Sequence, residues 1–190
     1  MVQAIVVYES IYGNTRAVAE AIAAGLGDHA TVVVRRVAEA DDEVLRGARL
    51  LVVGGPTHMH GLATSLSRRM AVKGAQEDGH TGVEPFASEE PGLRGWLSAV
   101  EGAGLSAAAF DTRIDRSAAL TGSAARGISK RLHRRGFTLI AEPESFLVED
   151  SEGPLEEGEL ARARAWGASL AASIEPEGSA RSANREGADR

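Results

Sequence analysis

Residues 4–15 read AIVVYESIYGNT, and this stretch decides the architecture. Ala4 to Tyr8 is a continuous apolar run rich in β-branched side chains, which suits a strand buried on both faces. Glu9 to Asn14 is a polar turn that contains Gly13. Val18, Ile22 and Leu26 then recur every four residues and Gly27 closes the run, the pattern of a helix packed on one side. A buried strand, a short polar loop and an amphipathic helix form the opening unit of a parallel sheet.

The same alternation continues along the chain. Thr31 to Val37 reads as a second strand, Ala40 to Gly47 as a short helix, and Leu50 to Val53 as a third buried strand ending in Gly54-Gly55-Pro56. Leu62, Leu66 and Met70 have helical spacing. Lys73 to Pro91 is polar and Gly-rich without periodicity, and reads as an inserted surface loop. Leu93, Trp96, Leu97 and Val100 mark another helix, and Ala107 to Phe110 a fourth strand. Ser123 to Gly136 is a helix with Ile128 and Leu132 inward. Phe137 to Ile140 and Phe146 to Val148 read as one fifth strand, bent or interrupted at Pro143. Leu160, Ala163, Gly167, Leu170 and Ile174 mark a final amphipathic helix. The pattern predicts one α/β domain over residues 1–174, with 73–91 inserted, and a disordered tail over 175–190. Its fold class is a doubly wound, five-stranded parallel sheet in three α/β/α layers. Such sheets bind ligands beyond the C-terminal strand ends, where the strand order reverses between strands one and three.

Composition narrows the chemistry. The chain has no cysteine, which removes disulfides, thiolate metal sites and cysteine nucleophiles. No apolar run approaches the roughly 18 residues of a membrane helix. The N-terminus lacks a basic region and a cleavage site, so a cytoplasmic location without a membrane span is expected. The net charge of −6 argues against nucleic acid as a partner. One basic cluster, Lys130, Arg131, His133, Arg134 and Arg135, reads as a solvated helix end complementing the helix dipole.

Chemistry-bearing residues gather at the ends of strands one and three. In the first loop, Ser10, Ile11, Tyr12, Gly13, Asn14 and Thr15 precede a helix whose N-terminal N–H groups and partial positive charge suit an anion. Ser10, Asn14 and Thr15 add short polar side chains, and Gly13 lets a backbone approach closely. A plain helix cap would use the same residue types. No G-x-G-x-x-G follows the first strand, and no G-x-x-x-x-G-K-[ST] or G-x-S-x-G occurs. The loop resembles the flavodoxin phosphate signature Ser/Thr-x-Thr-Gly-x-Thr, with Tyr12 in place of a Thr. Tyr8 to Thr15 is similar to the flavodoxin domains of A-type flavoproteins and of FMN-dependent quinone reductases. Flavodoxin is itself a standard instance of the strand-reversal rule, so the match of loop and topology is one argument rather than two.

The resemblance implies a flavodoxin-like domain that binds flavin mononucleotide (FMN), or a deazaflavin of similar shape, over about Val2 to Ile174. It implies that Pro56, Thr57, His58, Met59, His60 and Gly61 hold one face of the flavin ring, Met59 being the stacking group. His58 and His60 could form a metal-binding pair, but no third ligand accompanies them, so no metal is expected. His60 stands where many flavodoxins have glycine, which implies a less favoured one-electron-reduced state. The third loop, after Phe110, offers Thr112, Arg113, Gly122 and Ser123 to the ring edge, without a stacking aromatic. Arg113 could equally pair with Asp111 or Asp115. Trp96 and Trp166 read as core. No catalytic residue is assigned. The implied function is electron transfer to a redox partner protein. The alternatives are an FMN-dependent oxidoreductase acting on a small quinone-like or porphyrinogen-like substrate, and a non-redox module with a degenerate site.

Overall fold

The computed structural model describes residues 3–58, 61–77, 83–88, 91–115 and 122–173. The strands are β1 (Gln3–Tyr8), β2 (Thr31–Arg36), β3 (Leu50–His58), β4 (Gly61–Leu62), β5 (Ser106–Ile114), β6 (Thr138–Leu139) and β7 (Glu144–Val148). The helices are α1 (Asn14–Gly27), α2 (Asp42–Leu45), α3 (Ser65–Glu77), α4 (Leu93–Ala99), α5 (Ala124–Arg134) and α6 (Glu159–Ala172). Strand order is β2-β1-β3-β5, with β6 and β7 sharing the outer edge of β5. Every pairing is parallel except β4, which folds back on β3 as a short hairpin. This is the doubly wound sheet that the opening residues predict. Among the described residues no helix is long and apolar enough to cross a membrane.

The apolar strands are two-faced because helices cover both sides. Ala4, Val6, Leu50, Val52, Ala108 and Phe110 pack with Val18, Ile22, Leu26, Ala163 and Leu170 of α1 and α6. Ile5, Val7, Leu51, Val53, Ala107 and Ala109 point the other way, into a core with Trp96, Leu97, Ile128 and Leu132. Trp96 is buried, and its indole N–H donates to the Ala40 carbonyl at 2.6 Å. Trp166 lies edge-on to Phe110 and Phe146, so both tryptophans are packing residues.

Several boundaries differ from the sequence reading. β3 runs on to His58 and β5 to Ile114: the two pair with each other up to Pro56 opposite Thr112, then Thr57 and His58 pair with β4, and Arg113 and Ile114 with β7. Backbone pairing carries these strands past the end of their apolar runs. The fifth strand is two segments, β6 opposite Ser106 and Ala107, and β7 opposite Phe110 to Ile114, with Pro143 in the gap. The predicted helix from Ala40 to Gly47 is one turn, Asp42–Leu45, whose start is fixed by the Asp41 carboxylate accepting the Val44 N–H at 2.9 Å. A 3₁₀ turn over Val37–Glu39 precedes it. α3 reaches Glu77, five residues into the stretch expected to be loop. Leu66 and Met70, whose spacing suggested the helix, are exposed; among its described side chains the buried one is Arg68. Arg68 forms a 2.5 Å ion pair with the buried Glu9 carboxylate, which also accepts the Leu93 N–H at 2.8 Å. Ile174 and the 175–190 tail lie outside the described residues.

α1 and α6 meet at two glycines. A Cβ on Gly25 would stand 2.0 Å from the Arg164 carbonyl oxygen, and one on Gly167 would stand 2.2 Å from that of Ile22. The helices therefore touch backbone to backbone, where no side chain can yield. Gly25→Ala and Gly167→Ala are each expected to cost about 1–3 kcal/mol in urea unfolding. The double variant should cost less than the sum, since one widening of the helix pair relieves both clashes. Additive losses would show that the two contacts are independent.

Candidate functional site

The first loop is shaped by Gly13, which adopts φ +84 at the start of α1. Its N–H donates to the Ser10 hydroxyl at 3.1 Å, and its carbonyl accepts the first helical bond, from the Ala17 N–H at 2.9 Å. The N–H groups of Asn14, Thr15 and Arg16 have no acceptor in the helix, as at any helix start. Asn14 Nδ2 donates to the Glu152 carbonyl at 2.8 Å, so the loop after β7 is tied to this turn. The Thr15 hydroxyl shares a 2.7 Å hydrogen bond with that of Thr112, joining the first loop to the end of β5. Arg16, the nearest cation, is ion-paired with Glu84 at 2.8 Å.

The ends of β3 and β5 are joined through Asp111, whose side chain is fully buried. Its Oδ2 accepts from the Thr57 hydroxyl at 2.9 Å, the Ser123 hydroxyl at 2.8 Å and the Ala125 N–H at 2.8 Å. Thr57 in turn accepts the Ala124 N–H at 2.8 Å, and Ser123 caps α5 by accepting the Arg126 N–H at 3.2 Å. The carboxylate sits at a helix N-terminus, where the backbone dipole favours negative charge. Its other oxygen, Oδ1, is buried with no hydrogen-bond partner among the described residues.

These elements enclose a cavity of about 270 Å³ at the C-terminal end of the sheet, lined by Ile11, Tyr12, Asn14, Thr15, Pro56, Thr57, His58, Thr112, Arg113, Ile114, Val148 and Ser151. Burial, and then the charge of Glu152, raise the Tyr12 phenol above its ordinary value, so the ring remains a neutral donor at neutral pH. Arg113 lies on the wall with Nη1 3.3 Å from the Ile114 carbonyl. The cavity joins anion-seeking N–H groups at one end to apolar and hydroxyl-bearing walls at the other. This suits a molecule with a phosphate and a flat, partly polar ring.

The structure brings most of the sequence-derived residues together. Ile11, Tyr12, Asn14, Thr15, Pro56, Thr57, His58, Thr112 and Arg113 share the cavity. Ser10 and Gly13 shape the turn beneath it, and Gly61 pairs with His58 in the β3–β4 hairpin. Gly122 and Ser123 stand at the start of α5, with the Ser123 hydroxyl directed to Asp111. Met59 and His60 lie outside the described residues. Sequence reasoning missed Asp111 as a hub and missed the wall supplied by Val148 and Ser151. Polar residues at the end of a buried strand signalled the first. The Ser151-Glu152-Gly153-Pro154 turn after β7 signalled the second.

A reversed-order parallel sheet with an anion loop after its first strand defines a nucleotide-binding class of α/β domain. The sequence profile described as "Flavodoxin" matches residues 6–166, and the chain belongs to the flavodoxin family. Members of this family bind FMN. The protein is thus an FMN-binding, flavodoxin-like domain of an electron-transfer family, and the family implies redox partners. The fold is similar to that of a flavodoxin from the domain Archaea, at 19% identity and a TM-score of 0.60, covering 92% of this chain and 99% of that one. A flavodoxin, WrbA-like protein from Agrobacterium tumefaciens gives 18% and 0.58, covering 92% and 98%. The Flv1 flavodiiron core from Synechocystis sp. PCC6803 gives 16% and 0.60, covering 91% of this chain and 36% of that longer one. Curated protein sequences give no match.

Asp111→Ala would leave the Thr57 and Ser123 hydroxyls and the Ala125 N–H without their shared acceptor. A loss of about 2–4 kcal/mol in urea unfolding is expected, with faster amide exchange at Ala125. Asp111→Asn should recover part of it. Unchanged stability and exchange in the alanine variant would show that the hub carries no weight.

Proposed function

We propose that the phosphate of FMN lies on the turn Ser10 to Thr15 and that its ring occupies the cavity between Pro56, Thr57 and His58 on one side and Thr112 and Arg113 on the other. The single observation that supports this most is the α1 N-terminus, with Gly13 in the left-handed conformation, opening onto the cavity of about 270 Å³. Bound FMN supplies reversible redox chemistry; the chain's residues position it and set its surroundings. The N–H groups of Asn14, Thr15 and Arg16 hold a phosphate dianion without a lysine, and the Ser10 hydroxyl, already accepting from Gly13, still has its own proton to donate. Tyr12 keeps its proton and offers a neutral hydrogen bond from the same turn. Arg113 places a permanent cation beside the ring edge, which favours negative charge on the reduced ring. Pro56, Thr57 and His58 form the opposing wall. The reading is a non-enzymatic electron carrier, exchanging electrons with a redox partner protein in the cytoplasm.

The test compares affinities for FMN and riboflavin, which differ by the phosphate. Wild type is expected to bind FMN at least ten-fold more tightly. Thr15→Ala should weaken FMN by roughly 1.5–3 kcal/mol, about ten- to hundred-fold, the value of one hydrogen bond to a charged group. Riboflavin should scarcely change. Equal wild-type affinities would remove the phosphate from this turn. Equal losses for both ligands would mean that Thr15 acts only through its bond to Thr112.

A further inference from the structure

The helices on one face of the sheet carry cations that the flavin reading leaves unused. α5 holds Arg126, Lys130, Arg131, His133 and Arg134 and no carboxylate; α4 holds Arg94 and none either. Because Ala125, Ile128, Ser129 and Leu132 are buried, α5 turns its basic side outward, with Arg126, Lys130 and Arg134 exposed and Arg131 half-buried. Two of these side chains are anchored. Arg94 Nη2 donates to the Leu62 carbonyl at 2.8 Å, and Arg131 Nη1 to the Gly127 carbonyl at 3.0 Å. Leu62 packs against Gly127, its Cδ1 3.6 Å from where a Cβ would stand, so both guanidiniums are fixed about one contact. Burial lowers the pKa of Arg131, and the charges of Arg94 and Arg134 lower it further.

Several arginines elsewhere on the molecule are paired. Arg16, Arg36, Arg68, Arg135, Arg162 and Arg164 each meet a carboxylate. Arg94, Arg126, Lys130, Arg131 and Arg134 meet none among the described residues. Like charges held together in the free protein oppose one another, and a partner of opposite sign relieves this. The patch also has a position: Leu62 lies on β4, which pairs with Thr57 and His58, and His58 is on the cavity wall.

We propose that this face, centred on Arg94, Arg131 and Arg134, is the docking surface for an acidic redox partner protein, which it guides to the hairpin side of the flavin. The proposal rests on the FMN reading for its purpose, though not for the surface itself. A protein is favoured over nucleic acid because Arg94 is anchored on Leu62, in the hairpin that also carries His58 of the cavity wall. The sign of the salt effect is diagnostic. The whole chain carries −6, so without a local patch an acidic partner would be repelled and salt would speed its approach. With the patch, attraction at short range makes salt slow it.

The experiment uses the FMN-loaded protein and a reduced plant-type [2Fe–2S] ferredoxin as the acidic probe, with electron transfer followed by stopped flow. Salt is raised from about 0.01 M to about 1 M, where the screening length falls from about 30 Å to about 3 Å. In wild type the second-order rate is expected to fall by roughly ten-fold or more. Replacing Arg94, Arg131 and Arg134 together by Gln changes the net charge from −6 to −9, three cations fewer, and should reverse the slope. Lys130→Gln with Arg134→Gln, both exposed, gives a milder variant that tests the same slope should the triple one fold poorly. A wild-type rate that rises with salt, or variants that match wild type, overturns the proposal. So does salt-sensitive binding to a DNA duplex that exceeds binding to ferredoxin. Ferredoxin affinity is also measured on flavin-free protein. Salt-sensitive affinity there, without any FMN binding, supports the surface while defeating the cofactor reading.

Discussion

Three donors from three different elements converge on one carboxylate oxygen of Asp111. Thr57 comes from the end of β3, Ser123 from the turn before α5, and Ala125 from the first turn of that helix. A buried carboxylate is costly unless it is hydrogen-bonded, so these segments can occupy only positions that satisfy it. Thr15 and Thr112 make a second, smaller tie between β5 and the start of α1. Together the two ties connect the ends of β3 and β5 to the start of α1, around the crevice that the topology opens. The parallel sheet supplies the crevice, and the buried polar bonds give it a fixed width.

The electrostatics of the first turn follow from what it lacks. No lysine is present and Arg16 is committed to Glu84, so an anion here meets mainly backbone N–H dipoles. Those dipoles are fixed by helix geometry and need no side-chain ordering when the ligand arrives. The Glu9–Arg68 pair beneath serves a different end. It is buried, it accepts the Leu93 N–H, and it docks α3 and α4 on the end of β1. Its geometry explains how a helix with an exposed Leu66 and Met70 is held in place by a cation.

Much of this was legible in the sequence because the signals are local. Ala4 to Tyr8 and Leu50 to Val53 show their two-sided burial as unbroken apolar runs, and the Ser10-to-Thr15 turn carries its polar residues consecutively. The orientation of α3 was not legible. Leu66 and Met70 have the spacing of an inward stripe, and only Glu9, 59 residues before Arg68, makes the opposite face the buried one. The lengths of β3 and β5 were hidden because they depend on each other: Gly55 and Pro56 carry no strand signal, yet they pair with Asp111 and Thr112. The wall at Val148 and Ser151 depends on the bond from Asn14 to Glu152, 138 residues away, which no local pattern encodes. The basic side of α5 was visible as a cluster, but its convergence with Arg94 needed the packing of Leu62 on Gly127.

The central claim is that the phosphate of FMN is held as a dianion by the α1 N-terminus, away from water. Phosphorus NMR of the FMN-loaded protein tests this most directly. A solvated phosphate monoester gains a proton near pH 6 and its resonance shifts accordingly. A phosphate on the N–H groups of Asn14, Thr15 and Arg16 should remain ionised, with a resonance constant between about pH 5 and about pH 8. A bound resonance that titrates like free FMN would place the phosphate in solvent and contradict the account.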